Sequence, residues 1–430
     1  MHPIARELDQ KLTDPVRNLL SEKGRRIFFP SKGILGQAAD ARGKRINATI
    51  GIALEEDGSP MRLAGLDGVA GLGPRDAFTY APSYGKPQLR DAWRDLIRKK
   101  NPALGDTLLS RPVVTNALTH ALSMCGYLFL DPGDRLILPD LFWGNYKLIF
   151  NHGHGAELAT FATFADGGFD VAGLKARLAE GAPGKRVVLL NFPNNPTGYT
   201  PTPAEAAAIR DALVESCEAG NDIAVLIDDA YFGLVYEDGV MTESIFTLLA
   251  GAHERLLAVK IDGATKEDYV WGFRVGFITY AIKGGTEALY GALADKTAGA
   301  VRGNISNASH LGQSLMLRTY GDPAYDAWKA EKYATLAHRY ETVRAILDGH
   351  PEYAERFEAL PFNSGYFMCV RPLGVAPEAV RQRLLEAYDT GIIATGALIR
   401  IAFSSTPGAL LEDLFANLYA ACGDVAGKGA

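Results

Sequence analysis

The fold of this chain is decided by residues 186–198, which read RVVLLNFPNNPTG. Residues 186–190 form a short, mostly apolar run that is typical of a buried strand, and a turn rich in asparagine and proline follows it directly. A turn of this composition carries no functional information by itself. It becomes informative because the same arrangement, an apolar run and then polar side chains, occurs again further along the chain.

Further apolar runs have the same character, and helical patterns or long crossovers separate most of them. They are residues 112–115, 135–138, 223–227, 256–259 and 275–278. Near-continuous apolar strands joined by helices predict a mostly parallel sheet with helices on both faces, which is an α/β fold. Ligands of such sheets bind at the carboxyl ends of the strands, so we expect the functional side chains directly after these runs.

Four side chains follow two of these runs. Asp228 and Tyr231 come after residues 223–227, and Lys266 and Arg274 come after residues 256–259. Taken alone, Asp228 could cap a helix and Lys266 could be a solvated loop lysine. Together, they predict a site at one edge of the sheet.

Composition narrows the class of protein. The 430 residues carry a net charge of -6, with 47% hydrophobic and 22% charged residues, which is typical of a globular protein and argues against a nucleic-acid partner. The four cysteines and the pair His152 and His154 lack the spacing of a metal site. Since no apolar run approaches roughly 18 residues and the N-terminus has no apolar core, we expect a cytoplasmic protein without a membrane span.

Three motifs in combination carry a family resemblance. NNPTG at residues 194–198, DDAY at residues 228–231 and the eight-residue spacing from Lys266 to Arg274 resemble the class I/II aminotransferases, which are fold type I pyridoxal-phosphate enzymes. The resemblance runs from about residue 46 to residue 405, with the motifs in the family's order. Finer segments resemble the aspartate and aromatic aminotransferase branch, namely residues 47–51, 80–85, 142–146 and 302–307.

The resemblance implies an architecture and an activity. It implies a large cofactor-binding domain at residues 56–320, with a seven-stranded type of sheet between helices, and a small α+β domain made of residues 321–430 and the N-terminal segment 1–55. It implies transfer of an amino group between an L-amino acid (aspartate, glutamate or an aromatic one) and a 2-oxo acid such as 2-oxoglutarate. It also implies a homodimer with shared active sites.

Roles around the cofactor follow from the same resemblance. Lys266 matches the lysine that forms a Schiff base with pyridoxal 5'-phosphate, because a primary amine can condense with its aldehyde. Asp228 matches the carboxylate that pairs with the pyridine nitrogen. Tyr231 and Asn195 match the donors to the phenolic oxygen, and Trp143 matches the aromatic residue that stacks on the ring.

The phosphate of the cofactor needs a helix N-terminus and positive charge. Leu118 and Thr119 match the family's phosphate positions at a predicted junction of strand and helix. Thr265 and Arg274 match further phosphate ligands, and Tyr80 matches one that the neighbouring subunit donates.

The chain departs from the family pattern at two positions in this phosphate-binding region. The phosphate turn has no glycine, so Leu118 must lie close to the phosphate, and Gly263 stands where the branch often has a serine.

Substrate recognition is predicted to rest on two arginines. Arg400 matches the residue that binds the substrate α-carboxylate, with help from the backbone at Gly51, and Trp143 and Asn195 also line the substrate site. Arg302 matches the residue that reaches across the dimer to the distal carboxylate of aspartate, glutamate and 2-oxoglutarate. Ile305 replaces an aromatic residue of the branch in this segment.

The residues leave other functions open. A carbon–sulfur β-lyase or a decarboxylase of fold type I would share the lysine, aspartate, tyrosine and arginine, since the cofactor does the hard chemistry. The Arg302 segment favours transamination, because a lyase has less need of a second carboxylate site. A transcription regulator with an aminotransferase-like domain would need a helix-turn-helix of roughly 60 or more residues ahead of the motifs, and the segment before residue 46 is too short.

Overall fold

A computed structural model describes residues 34–49, 51–64 and 71–427, together with the isolated residues Pro3 and Arg6. Most of the predicted N-terminal segment before residue 34, and Ile50 in the 47–51 motif, therefore lie outside the described residues. Within the described ranges, no helix is both long and apolar enough to cross a membrane.

The structure combines strands and helices throughout these ranges. The strands are β1 (Ile46–Asn47), β2 (Val113–Asn116), β3 (Arg135–Pro139), β4 (Glu157–Phe161), β5 (Phe164–Ala165), β6 (Gly168–Phe169), β7 (Lys185–Asn191), β8 (Asp222–Asp228), β9 (Leu256–Asp262), β10 (Val275–Ala281), β11 (Phe357–Ala359), β12 (Met368–Pro372), β13 (Thr390–Gly391), β14 (Ile393–Thr395) and β15 (Leu398–Ile401). The α-helices from residue 34 onward are α1 (Ile34–Asp40), α2 (Pro74–Ala77), α3 (Pro87–Lys100), α4 (Ala117–Phe129), α5 (Val171–Leu178), α6 (Pro203–Glu218), α7 (Phe246–Leu249), α8 (Ala264–Glu267), α9 (Glu287–Asn304), α10 (His310–Tyr320), α11 (Tyr325–Gly349), α12 (Pro377–Ala387) and α13 (Leu411–Gly427). A π-helix spans Lys147–Gly153, and short 3₁₀ turns span Pro102–Leu104, Pro351–Glu355, Phe403–Ser405 and Gly408–Leu410.

The central sheet has seven strands in the order β2-β10-β9-β8-β7-β3-β4. Strand β10 runs antiparallel to both of its neighbours, and the remaining pairs are parallel. The predicted mostly parallel α/β sheet is confirmed, and each predicted apolar run overlaps one of these strands. Strand β4 was missed because it lies at the sheet edge and alternates exposed and buried residues, so it lacks a continuous apolar run.

The carboxyl ends of the parallel strands meet at one edge of this sheet. The last residues of β7 and β8, Asn191 and Asp228, lie opposite each other in register. Strand β2 ends at this same edge, since its last residue, Asn116, pairs with Val275 at the start of β10. Helix α4 begins directly after β2, at Ala117. The edge therefore gathers the ends of three strands, the start of β10 and a helix N-terminus.

A second core lies beside this sheet. The antiparallel sheet β11-β12-β15-β14 packs with α11, α12 and α13. The buried residues of this second core include Val343, Val370, Leu384 and Phe415. Strand β1 pairs in parallel with β13, so the chain near residue 46 lies against the C-terminal part of the molecule. The long helix expected at about residues 326–347 is α11. The domain boundaries at residues 55 and 320 stay a prediction.

Candidate active site

Lys266 lies in the short helix α8, just past the end of β9. Its side chain is partly exposed, and Nζ lies 4.9 Å from the centre of the Tyr231 ring. Burial lowers the pKa of Lys266, and nearby Arg274 lowers it further, whereas Asp228 opposes the change. A lysine with a lowered pKa is more often neutral, so its lone pair is more often available to attack a carbonyl group or to accept a proton.

Asp228 ends strand β8 and is 3% exposed. Its Oδ2 accepts a hydrogen bond from the Tyr146 hydroxyl at 2.6 Å, and its Oδ1 accepts one from the Ala230 N–H at 3.1 Å. Burial raises the pKa of this carboxyl group, although the Tyr146 hydroxyl and the charge of Lys266 act against that shift. A buried carboxylate placed beside a lysine is suited to stabilise a positive charge.

Asn195 connects the surroundings of Lys266 with a buried arginine. Its Nδ2 lies 3.5 Å from the Tyr231 hydroxyl, and its Oδ1 accepts a hydrogen bond from Arg400 Nη1 at 3.2 Å. The end of β7 holds Asn195 in place, because the Asn195 N–H donates to Asn191 Oδ1 at 2.9 Å. Burial raises the pKa of Tyr231, so its hydroxyl stays protonated and can donate.

Arg400 is buried, although it carries a charge. It lies on β15, is 3% exposed and donates from Nη2 to the Thr49 carbonyl at 3.3 Å. Its guanidinium lies 4.2 Å from the centre of the Phe367 ring, and its Nε has no hydrogen-bond partner among the described residues. Arg400 lines a cleft of about 990 Å³ that Trp143 and Asn195 also line. A buried guanidinium with an unsatisfied N–H next to a cleft is suited to bind a carboxylate.

An anion could bind where β2 passes into α4. Helix α4 begins with Ala117 in a left-handed conformation, with φ 61°, and the next residue, Leu118, is buried while Thr119 is exposed. Thr265 Oγ1 is buried and has no hydrogen-bond partner in the part of the chain that the structure describes. Arg274 is partly buried, which lowers its pKa. A helix N-terminus, an unpaired hydroxyl and an arginine make up the donor set that a phosphate group needs.

Packing explains why position 263 is a glycine. A Cβ atom there would lie 2.6 Å from the Val275 carbonyl oxygen and 2.7 Å from Gly276 Cα, so a serine would clash with the backbone. It would also lie 3.1 Å from Leu118 Cδ1. The two departures from the family pattern are therefore linked, because Leu118 fills space next to the position that lacks a side chain.

Tyr146 is a site residue that our reading of the sequence did not single out. The Tyr146 N–H donates to the Trp143 carbonyl at 2.9 Å, and the two rings meet edge to face with centroids 5.7 Å apart. A π-helix, a rare element often found at functional sites, begins at the next residue. The spacing of two aromatic residues by one turn in residues 142–146 was the signal available in the sequence.

Tyr80 and Arg302 do not reach Lys266 within one chain. Tyr80 is 89% exposed, and Arg302 is exposed with Nη1 donating to Ser306 Oγ at 2.7 Å. Gly51 is also exposed, two residues beyond the Thr49 carbonyl that holds Arg400. The roles predicted for all these residues stay predictions.

Comparison with known proteins places the chain among aminotransferases. The family described as Aminotransferase class I and II matches residues 71–417. The aspartate aminotransferase of Rhizobium meliloti is 29% identical over 220 residues, which are 51% of this chain and 50% of that protein. A probable N-acetyl-LL-diaminopimelate aminotransferase of Bacillus subtilis (strain 168) is 31% identical over 202 residues, or 46% and 47% of the two chains. The matched region thus spans about half the length of these curated relatives.

Solved structures agree over a longer stretch. An aminotransferase from Anaerococcus prevotii superposes with a TM-score of 0.81 at 21% identity, covering 93% of this chain and 98% of that one. The Thermus thermophilus aspartate aminotransferase with maleate superposes with a TM-score of 0.73 at 18% identity, covering 94% and 99%. At these identities the likeness shows the fold, and it confirms the predicted fold class.

Proposed function

Because this chain belongs to the aminotransferase class I and II family, we propose that it moves an amino group between an L-amino acid and a 2-oxo acid. The observation that carries the proposal is the chain of contacts from Lys266 to Arg400. Lys266 Nζ lies over the Tyr231 ring, the Tyr231 hydroxyl meets Asn195, and Asn195 accepts a hydrogen bond from Arg400. A nucleophilic amine and a carboxylate-binding guanidinium thus belong to one connected site.

The family's cofactor, pyridoxal 5'-phosphate, fits the donors in this site. When bound, it supplies an aldehyde that accepts an amine and a ring that takes up the electron pair of the cleaved bond. The residues that would hold it are Leu118, Thr119, Thr265 and Arg274 at the phosphate, Asp228 at the ring nitrogen, Tyr231 and Asn195 at the phenolic oxygen, Trp143 at the ring face and Lys266 at the aldehyde.

Each residue has a definable task. Arg400 binds the α-carboxylate of the substrate and thereby orients the α-carbon toward Lys266. The lowered pKa of Lys266 allows its Nζ to accept the proton from that carbon and then to release the proton again. Asp228 keeps a proton on the ring nitrogen, since its negative charge stabilises the protonated form in a medium of low dielectric constant.

The preferred substrates in this proposal include aspartate, glutamate or aromatic amino acids, with 2-oxoglutarate as acceptor. Relatives named as aspartate aminotransferases support this choice. Arg302 would bind the distal carboxylate in the active site of a second copy. Its exposed side chain, with Ser306 as hydrogen-bond partner, is available for this role.

We further propose a homodimer located in the cytoplasm. Phe78 and Tyr80 are 87% and 89% exposed, and two neighbouring aromatic side chains in water favour burial against another chain. Tyr80 would then reach the phosphate in the partner's site. The four cysteines are all free and buried, which supports a reducing compartment.

A half-reaction screen tests the activity. The purified holoenzyme is mixed with single amino acids, and absorbance spectra follow its conversion to the pyridoxamine form. We expect conversion with glutamate, aspartate or an aromatic amino acid, and reversal by 2-oxoglutarate. Release of carbon dioxide, or of ammonia together with a 2-oxo acid, would instead identify a decarboxylase or a β-lyase.

Substrate choice is tested with two arginine variants. Arg302→Ala should lower kcat/KM for dicarboxylic amino acids by about 30-fold to several-thousand-fold, because a desolvated charge pair loses one partner. The same variant should leave phenylalanine almost unaffected, whereas Arg400→Ala should impair every amino acid. Equal losses for aspartate and phenylalanine in Arg302→Ala would remove the dicarboxylate proposal.

Mixed dimers test the assembly. A Lys266→Ala chain and an Arg302→Ala chain, each inactive toward aspartate, should regain some activity when combined, because one of the two sites becomes intact. Full activity of a strictly monomeric protein would contradict the shared site.

A further inference from the structure

Tyr146 makes a short hydrogen bond inside the site that the proposed function does not use. The residue is 1% exposed, and its hydroxyl donates to Asp228 Oδ2 at 2.6 Å. Its ring contacts Phe142, Trp143 and Phe150, with centroid distances of 6.2, 5.7 and 6.0 Å. Because aromatic neighbours hold the ring, the hydroxyl points to one place.

Asp228 depends on such donors because it is buried. Removal from water favours a neutral carboxyl group, and hydrogen bonds from protein donors favour the charged one. The titratable groups that face Asp228 are Tyr146 ahead of the π-helix, Lys266 on α8, and Asp229 and Tyr231 at the end of β8. Of these, Tyr146 donates a hydrogen bond to the carboxylate. The second donor to Asp228 is the Ala230 backbone N–H.

The direction of the bond is determined by the environment of Tyr146. Burial and the adjacent Asp228 carboxylate raise the pKa of the Tyr146 hydroxyl well above its usual value. The hydroxyl therefore keeps its proton at neutral pH and acts as a permanent donor. A permanent donor stabilises the ionised form of its acceptor and fixes the orientation of the carboxylate plane.

We propose that Tyr146 is a positioning residue that keeps Asp228 ionised and oriented toward the ring nitrogen of the cofactor. The inference rests on the proposed function, because that function gives Asp228 its task. Oδ2 is bound to Tyr146 and Oδ1 to the Ala230 N–H, so rotation of the carboxylate is restricted by a donor on each oxygen. Without Tyr146, Asp228 would retain the weaker, longer backbone bond at 3.1 Å.

The structure offers a matched control for this role. Tyr280 is also fully buried, lies on β10 of the same sheet and makes a hydrogen bond of 2.6 Å with the neutral Thr297 hydroxyl. Tyr146→Phe and Tyr280→Phe each remove one hydroxyl from a buried ring. They differ in whether the partner is Asp228 or a residue away from the site.

The experiment measures cofactor affinity and the absorbance spectrum of each holoenzyme as a function of pH. For Tyr146→Phe we expect the dissociation constant of pyridoxal 5'-phosphate to rise about 10- to 100-fold, as for loss of one hydrogen bond to a buried charged group. The pH at which the bound cofactor changes its absorbance should also move. Tyr280→Phe should change neither quantity, although both variants lose stability in urea unfolding of the apoprotein.

A second comparison shows whether Tyr146 acts through Asp228. In an Asp228→Asn background the charge is already absent, so Tyr146→Phe should change cofactor affinity much less than in the native protein. An unchanged effect in that background, or equal behaviour of Tyr146→Phe and Tyr280→Phe, overturns the inference. Wild-type protein in the same binding assay separates the two proposals, because failure to bind the cofactor removes the proposed function as well.

Discussion

Asp228 and Asp229 are neighbours in the chain, but their carboxylates have different surroundings. Asp229 forms a salt bridge with the buried Lys260 and accepts a hydrogen bond from Ser244 Oγ at 2.7 Å. Among the described residues, no salt bridge reaches Asp228, which has Tyr146 and a backbone N–H as donors. Asp229 directly follows the last residue of β8, and its N–H still donates to the Ile261 carbonyl at 2.9 Å. Because successive residues of an extended chain point to opposite sides, the two adjacent acids enter different environments.

The same contrast separates Lys266 from Glu267. Glu267 is buried and forms salt bridges with Lys100 and, at 3.1 Å, with Lys329. Lys266 instead lies over the Tyr231 ring. We call Asp228, Lys266 and Arg400 the open cluster. The paired cluster consists of Lys100, Asp229, Lys260, Asp262, Glu267 and Lys329.

The comparison distinguishes charged residues that stabilise the structure from charged residues that form the candidate active site. Buried charges that meet opposite charges maintain the structure, and removing one partner leaves the other uncompensated. Buried charges without a matching protein charge are kept for a ligand, at the expense of stability. The paired cluster therefore supports the segments that carry the open cluster, and each cluster should respond differently to substitution.

The largest expected effect is on activity, in the open cluster. Lys266→Ala should lower kcat by at least about 10⁴-fold, since the residue serves as both nucleophile and proton carrier. The stability of the apoprotein should change little, because Lys266 forms no salt bridge with any residue that the structure describes. Borohydride reduction and peptide mapping of the wild-type holoenzyme check the assignment. A pyridoxyl group found on Lys260 would show that Lys260, and not Lys266, binds the cofactor, and the functions assigned to the two clusters would then be wrong.

The next effect is on stability, in the paired cluster. Lys260→Met should lower the free energy of unfolding by about 3–5 kcal/mol, because Asp229 and Asp262 lose their buried cation. The protein that remains folded should still bind the cofactor through Lys266. Urea unfolding of the apoprotein measures the loss, and a change below about 1 kcal/mol would show that the pair contributes no net stability.

Acid should weaken the paired cluster through Glu267. Burial by itself would raise the pKa of Glu267, but Lys100 and Lys329 outweigh it and lower the pKa to about 2. The ionised carboxylate thus contributes stability that is fully present above the unfolded-state pKa and is lost as pH falls toward the folded-state value.

Glu267→Gln isolates this contribution. The variant should be less stable than the wild type at pH 7, and the difference should shrink as pH falls from about 5 to 3, because the carboxylate of the unfolded chain binds protons in this range while the folded one stays ionised. Unfolding curves at several pH values measure the difference. A difference that stays constant with pH would mean that Glu267 is not stabilised as an anion.

The smallest expected effect concerns backbone strain at three residues outside both clusters. Ala117, Arg274 and Tyr269 have positive φ angles of 61°, 56° and 58°, which residues with side chains rarely adopt. Ala117→Gly should raise the free energy of unfolding by about 0.5–1 kcal/mol, because glycine adopts this conformation without strain. Ala208→Gly, inside helix α6, is the control and should lower it by about 1 kcal/mol. If both variants were less stable than the wild type, Ala117 would not be under backbone strain.

Much of the sheet could be predicted because its strands are continuous apolar runs. Strands β7, β8 and β9 were recognised from their composition, and the residues after them were the predicted site residues. Strand β4 was missed because its alternating pattern matches an edge position rather than a buried strand. Tyr146 was missed because an aromatic residue near a turn has the same appearance in sequence whether it packs or donates a hydrogen bond.

The sequence by itself determined that Asp228, Tyr231 and Lys266 follow strand ends, since the position of a residue relative to its own strand is a local property of the chain. Only the tertiary structure decided that Lys260 is paired and Lys266 is open, although one lysine lies in β9 and the other only a few residues after it. The physical reason is that pairing of a charge depends on side chains brought near by neighbouring strands and helices. Such distances arise from packing and are not encoded in any short stretch of sequence.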